Sequence, residues 1–146
     1  MRVALLVIAF TALAGRVVEA RPRTADDDAL VAKLLTHADK LSVLIESNLE
    51  TPKKGLAAVD RYLKKQRRPM KKMVAKLVVV ANELDDDARG ELARALMFGE
   101  PVQRFLAAVG AFRDKHGADP AYAKRIDALV DELTTEGRPL FDALMR

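Results

Sequence analysis

Residues 55–84 read GLAAVDRYLKKQRRPMKKMVAKLVVVANEL. Within them Leu56, Val59, Leu63, Gln66, Met70, Met73, Leu77, Val80 and Leu84 recur at alternating intervals of three and four residues. That interval places one stripe along one face of an α-helix. The stripe keeps its phase through Pro69, and two unrelated helices would have no reason to do so. The pattern therefore predicts one long helix, kinked where Pro69 removes a hydrogen bond and crowds the preceding turn. A break near Arg68 is the alternative, because a residue before proline disfavours helical geometry. Thr51-Pro52 supplies the start signal, with Thr as a cap and Pro in the first turn.

Outward from this segment the same spacing recurs. Upstream, Leu30, Leu34, His37, Leu41, Leu44 and Asn48 form a stripe widened by Val31, Leu35, Ala38, Ile45 and Leu49. Asp26-Asp27-Asp28 precede it, as suits the positive end of a helix dipole. Downstream, Asp85-Asp86-Asp87 restart the chain, and Ala88, Leu92, Ala95 and Leu96 stripe a short helix ending at Gly99 and Pro101. Val102, Phe105, Val109, Phe112 and His116 stripe the next helix, which Gly117 ends. Asp119-Pro120 opens another through Tyr122, Ile126, Leu129, Val130 and Leu133. Gly137-Arg138-Pro139 is expected to interrupt it, leaving Leu140, Phe141 and Leu144 as a short closing helix. No run alternates with period two for long. The expected fold is all-α: an antiparallel helical bundle of four main helices plus short terminal helices, with a kinked long second helix. Short connections predict that neighbours in sequence are neighbours in space. Burial is expected at Leu34, Leu41, Leu63, Leu77, Phe105, Val109 and Leu129.

The start of the chain reads differently. Met1-Arg2 is basic, Val3–Ala14 is apolar, and Val18-Glu19-Ala20 offers small residues at the −3 and −1 positions of a cleavage site. Residues 1–20 are thus expected to be a signal peptide, and 21–146 a single helical-bundle domain. Cleavage after Ala14 is the other candidate, and a buried N-terminal helix is the structural alternative. The apolar run falls short of the roughly 20 residues that span a bilayer. No transmembrane segment is expected in the mature chain, whose location is periplasmic or secreted. Removing residues 1–20 takes Arg2, Arg16 and Glu19 from the 25 basic and 21 acidic residues, leaving a net charge of +3. The chain has no cysteine, so it needs no disulfide oxidation and cannot be a cysteine-anchored lipoprotein. With no Trp and only five Phe and two Tyr, its core must be aliphatic.

Charge is the most uneven feature. Between Thr51 and Lys76 stand Lys53, Lys54, Arg61, Lys64, Lys65, Arg67, Arg68, Lys71, Lys72 and Lys76, against one acid, Asp60. On a helix Lys54, Arg61, Lys65, Arg68 and Lys72 lie opposite the apolar stripe, with Lys64, Arg67 and Lys71 beside them. Two readings stand. The face is solvated and partly neutralised by Asp127, Asp131 and Glu132 of a neighbouring helix, or it docks something anionic. The candidate docking residues are Lys64, Lys65, Arg68 and Lys72. The candidate partners are an anionic envelope polymer, lipid headgroups or an acidic protein. Nucleic acid is disfavoured, since export is expected and Tyr62 is the lone aromatic of the basic segment. The oligomeric state is left open.

Other chemistry is thinly represented. His37 lies on an apolar stripe, where a histidine bonded to a neighbouring helix is commoner than a metal or haem ligand. Leu34 stands three residues before it, so the Glu-x-x-His pair of di-metal bundles is missing. His116 before Gly117 suits a helix C-terminus. A haem between a histidine and Met70, Met73 or Met97 is a third reading, and methionine on such a stripe is ordinary core filler. No calcium loop, nucleophile elbow, phosphate loop or zinc signature occurs. The expected protein is non-enzymatic, with no cofactor and no metal site.

His37-Ala38-Asp39-Lys40-Leu41, Glu46-Ser47-Asn48, Pro52-Lys53-Lys54 and Val59–Lys65 together resemble small exported helical proteins of predatory and related soil bacteria. The resemblance covers residues 37–76 and implies a helical hairpin and export, with no activity or site residue attached. Some of those proteins carry a cysteine that this chain lacks. The chain is also similar in size and charge to small basic periplasmic chaperones with a Leu-Thr-x-x-Gln signature. Here Leu133-Thr134-Thr135-Glu136 is followed by Gly137, which departs from it. A holdase-like chaperone is accordingly the alternative to an envelope interaction protein. The export reading is checked by intact mass of the protein from the envelope fraction. A chain beginning at Arg21 is expected, and a full-length cytoplasmic chain would overturn it.

Overall fold

The computed structural model describes residues 19–146, so most of the expected signal peptide lies outside the described residues. Five helices follow in order: α1 (Ala25–Glu46), α2 (Pro52–Glu83), α3 (Asp86–Phe98), α4 (Glu100–His116) and α5 (Pro120–Leu144). α3 and α4 join through Gly99 with a bend of 29°, so the architecture is an all-α bundle of four long helices.

α2 runs unbroken for 32 residues through Pro69, as the continuous stripe requires. α5 likewise runs unbroken through Pro139, which corrects the expected interruption at Gly137-Arg138-Pro139. There is no separate closing helix, and Leu140, Phe141 and Leu144 extend the α5 face. The physical reason is the same for both prolines. Pro69 and Pro139 are exposed, and so are Lys65 and Thr135, whose carbonyls they leave without a donor. Water can satisfy those carbonyls, while the buried face of each helix holds the chain in line.

The caps are mostly acidic or hydroxylic. Thr24 and Asp27 form a reciprocal capping box on α1. The side chain of Asp85 accepts from the Ala88 N–H, and that of Asp119 from the Ala121 N–H. Thr51 makes no side-chain cap on α2, contrary to expectation, and Pro52 alone marks that start. The residues ahead of α1 are tied down. The Arg21 N–H donates to the Glu83 carbonyl and the Asp85 N–H to the Arg21 carbonyl, each at 3.0 Å. The Arg21 guanidinium reaches both Asp27, at 2.7 Å, and Glu83, at 3.1 Å. Its hydrogen bond to the buried Asp27 carboxylate pulls that group down to about 2.

With α3 and α4 taken as one bent helix, direction alternates along the chain. The broadest packing, however, joins α1 to α4 and α2 to α5, with α1 against α2 next. Both broad pairs run parallel. Asp60 meets Arg125 and Arg67 meets Glu136 along α2 and α5. Asp39 and Glu46 of α1 meet Arg104 of α4, and Glu50, in the turn after α1, meets Lys115. Neighbours in sequence are thus neighbours in space for α1 and α2, whereas the other large interfaces join helices distant in sequence.

Two aliphatic cores result. One gathers Val31, Leu77, Ala81, Leu84, Ala88, Leu92, Leu140, Ala143 and Leu144. The other gathers Leu41, Ile45, Leu56, Val59, Ala108, Val109, Phe112, Ile126 and Leu129. Of the residues expected to be buried, Leu41, Leu77, Val109 and Leu129 are so, while Leu34, Leu63 and Phe105 are half-buried at the edges of these cores. Leu77, fully buried, should cost about 2–5 kcal/mol when replaced by Ala. Half-buried Leu34 should cost less than Leu77 under the same change. Denaturant unfolding of the two variants checks this, and equal losses would contradict the difference in their burial.

Candidate functional site

The basic segment falls within α2, whose apolar stripe faces the cores. The opposite side of the helix carries Lys54, Arg61, Lys64, Lys65, Arg68 and Lys72, all exposed. On the flank toward α5, Arg67 pairs with Glu136 and, at 3.9 Å, with Glu132. Lys71 approaches Glu136 at 3.6 Å. Of the acids expected to neutralise this face, Glu132 takes part, and Asp127 is instead bonded to Arg113 at 2.7 Å. Glu136 was not anticipated. Its role follows from the helical continuation of α5, which carries it alongside Arg67 and Lys71.

The four candidate docking residues, Lys64, Lys65, Arg68 and Lys72, make no ion pair among the described residues. Asp60, the one acid of the segment, is committed to Arg125. Lys64, Arg67, Arg68, Lys71, Lys72 and Ala75 line a shallow depression of about 510 Å³ on this side of α2. The side chains differ chemically: arginine offers a planar fork of donors to an oxyanion, lysine a compact point charge. Together they form a cationic strip without built-in selectivity for one anion.

A second feature was not legible in the sequence. Between α2, α3 and α5 lies a groove of about 530 Å³. Its walls include Met70 and Val74 of α2, Leu96 and Met97 of α3, and Leu133 and Phe141 of α5. Thr134, Lys71, Glu136, Arg138 and Asp142 supply its polar margin. Lys71 borders both the groove and the cationic depression.

The two histidines have structural partners. His37 Nδ1 lies 2.6 Å from the Tyr62 hydroxyl, joining α1 to α2. His116 Nε2 lies 2.6 Å from the Leu49 carbonyl, so that nitrogen carries the donated proton. His116 also stacks among Phe112 and Tyr122. Met70 and Met97 line the groove, and neither histidine does, so no histidine–methionine pair faces it. Among the described residues no group of three or more His, Asp or Glu is placed to hold a metal ion. Also among them, no helix is long and apolar enough to cross a membrane.

Burial holds the His37 imidazole below its ordinary value, and burial pushes the Tyr62 phenol up. A histidine whose folded value is depressed stabilises the fold above its unfolded value, about 6.5. That contribution is lost as the pH falls through and below this value. Asp27, held at about 2, keeps its charge throughout that window. Unfolding free energy should therefore decline as the pH falls below about 6.5. The decline should be shallower in His37→Gln, which retains hydrogen-bonding capacity but cannot titrate. An unchanged slope in the variant would assign the decline elsewhere.

The chain matches no protein-family profile, no curated protein and no solved structure.

Proposed function

We propose that this chain is an exported, non-catalytic interaction protein of the cell envelope that docks anionic partners through the outer face of α2. The observation that carries the reading is the set Lys64, Lys65, Arg68 and Lys72. These are exposed cations over little more than two helical turns, with no acid paired to any of them among the described residues. Like charges so close repel one another, and an anionic surface relieves that repulsion. Arg67 and Lys71 beside them are tied to α5. The free cations therefore sit on a helix whose orientation is fixed, and a docked partner would meet a preformed strip. Export, read from residues 1–20, places that strip where anionic polymers and lipid headgroups are abundant.

A holdase-like chaperone is the second reading, and the apolar groove between α2, α3 and α5 is the observation that favours it. Suppression of aggregation of a denatured client, lost when the groove is filled, would support that reading over the first.

The docking reading is tested by titrating the protein against anionic phospholipid vesicles and an acidic polysaccharide at low and moderate ionic strength. Binding should be present at low salt and fall steeply as salt is added, because exposed charges are screened beyond about 10 Å at 0.1 M. A variant with Lys64, Lys65, Arg68 and Lys72 all changed to Gln should lose most of it. Absence of binding at low salt, or undiminished binding by the variant, would reduce the basic face to a solvated surface.

A further inference from the structure

We infer that the groove between α2, α3 and α5 holds the hydrocarbon chain of a single-chain amphiphile whose phosphate headgroup rests on the adjoining basic face. This rests on the anion-docking reading of α2 and names the ligand class that would use it. The two features are physically continuous. Lys71 stands on the wall shared by the groove and the cationic depression. A ligand lying in the groove would therefore meet Lys71, with Arg68 and Lys72 adjacent on the same helix. On the opposite bank, Arg138 borders the groove without an ion pair among the described residues. Glu136 also lies at the margin, but it is already engaged by Arg67 and Lys71. Asp142 borders the groove too, one helical turn beyond Arg138 on α5. Because Glu136 already takes up Lys71, the unbalanced positive charge on the α2 side is that of Arg68 and Lys72, and it favours an anion there. Arg68 and Lys72 beside Lys71 on α2 suit a phosphate, which takes several donors at once, better than a single carboxylate.

The apolar half of the ligand follows from the groove itself. Its volume, about 530 Å³, lies within the roughly 300–1,000 Å³ range of small-molecule sites. Met70 and Met97 line it, and flexible thioethers adapt to a mobile alkyl chain. The walls are helices, whose backbone N–H and C=O groups are largely paired within each helix. An extended peptide laid there would bury its own backbone groups without partners, which is costly. An alkyl chain has no such groups to satisfy. This difference favours a lipid over a polypeptide client.

Gly137 makes the inference testable without disturbing the fold. It lines the groove, and a Cβ built on it meets nothing within 4 Å. Gly137→Phe therefore adds bulk at the groove while replacing a glycine inside α5, where glycine is a poor helix former. Its thermal unfolding should match or exceed that of the native protein. Dodecyl phosphate, kept below its micelle concentration, should bind the native protein saturably with one-to-one stoichiometry by calorimetry. Affinity should fall at least about tenfold for Gly137→Phe, for Lys71→Gln, and for two altered probes, butyl phosphate and the uncharged dodecyl maltoside. Equal binding of dodecyl phosphate by Gly137→Phe, or of dodecyl maltoside by the native protein, would overturn the inference. So would an apolar peptide that occupies the groove and is not displaced by dodecyl phosphate. Vesicle binding separates the two readings. If native protein and Gly137→Phe both bind anionic vesicles but neither takes up dodecyl phosphate, the groove assignment falls and the docking face stands. If the native protein takes up dodecyl phosphate but ignores vesicles, docking to extended anionic surfaces falls instead.

Discussion

The phase of one apolar stripe, held for 32 residues through Pro69, is the constraint on which the bundle depends. Val59 belongs to one core and Leu77 to the other. They share a face because the turns between them neither gain nor lose a residue. A break at Arg68 would free the second half of α2 to rotate. Leu77, Ala81 and Leu84 would then lose their registration with α3 and α5. The proline costs a hydrogen bond, and its exposed position limits the damage to a carbonyl that water can reach. α5 repeats the arrangement at Pro139, between Ile126 and Leu129 in one core and Leu140, Ala143 and Leu144 in the other.

Packing parallel helices side by side sets the polar chemistry as well. Along α2 and α5 the pairs Asp60–Arg125 and Arg67–Glu136 advance in step, as do Asp39–Arg104 and Glu50–Lys115 along α4 and along α1 with the turn after it. Exposed pairs of this kind contribute little net stability, about 0–1 kcal/mol each. Their larger consequence is distributional. The acids of α5 reach only the near flank of α2, so Arg67 and Lys71 are neutralised while the cations of the far side are not. A helix with ten basic residues and two acids, Asp60 and the terminal Glu83, cannot be balanced by a neighbour that touches it along a single flank.

What the sequence revealed follows the same division. Periodicity reports which face of a helix is buried, and it located α1, α2, α4 and the Leu77, Val109 and Leu129 positions directly. It does not report which helices pair, because that depends on the shape of the whole bundle. The α1–α4 interface was therefore invisible; the α2–α5 interface was reached only through charge, by way of Glu132, and Glu136 was missed. Pro139 misled because local signals were weighed without the continuing stripe of Leu140 and Leu144, the argument that had succeeded at Pro69. Arg21 was hidden for another reason. A single arginine in a polar stretch has no periodicity, and its bonds to Asp27 and Glu83 join segments far apart in sequence. The clustered cations of α2 were legible, since charge clustering needs no tertiary information. The groove was not, since a void is a property of facing surfaces.

The position of that void has a compositional cause. Protein interiors normally pack to high density, and large aromatics are the usual filler between helices that diverge. This chain has no Trp, and among the described residues all its aromatics but Phe141 lie elsewhere. Phe112 is buried in the core of Val59 and Ile126, His37 occupies Tyr62, and Phe98 is 66% exposed. Between the two cores, α2 presents Met70 and Val74, and α5 presents Leu133 and then Gly137, which has no side chain at all. Phe141, the one aromatic lining the groove among the described residues, is 45% exposed. Small or flexible side chains at the level where the two cores part leave the bundle open there. The opening falls beside the stretch of α2 where the cations are densest.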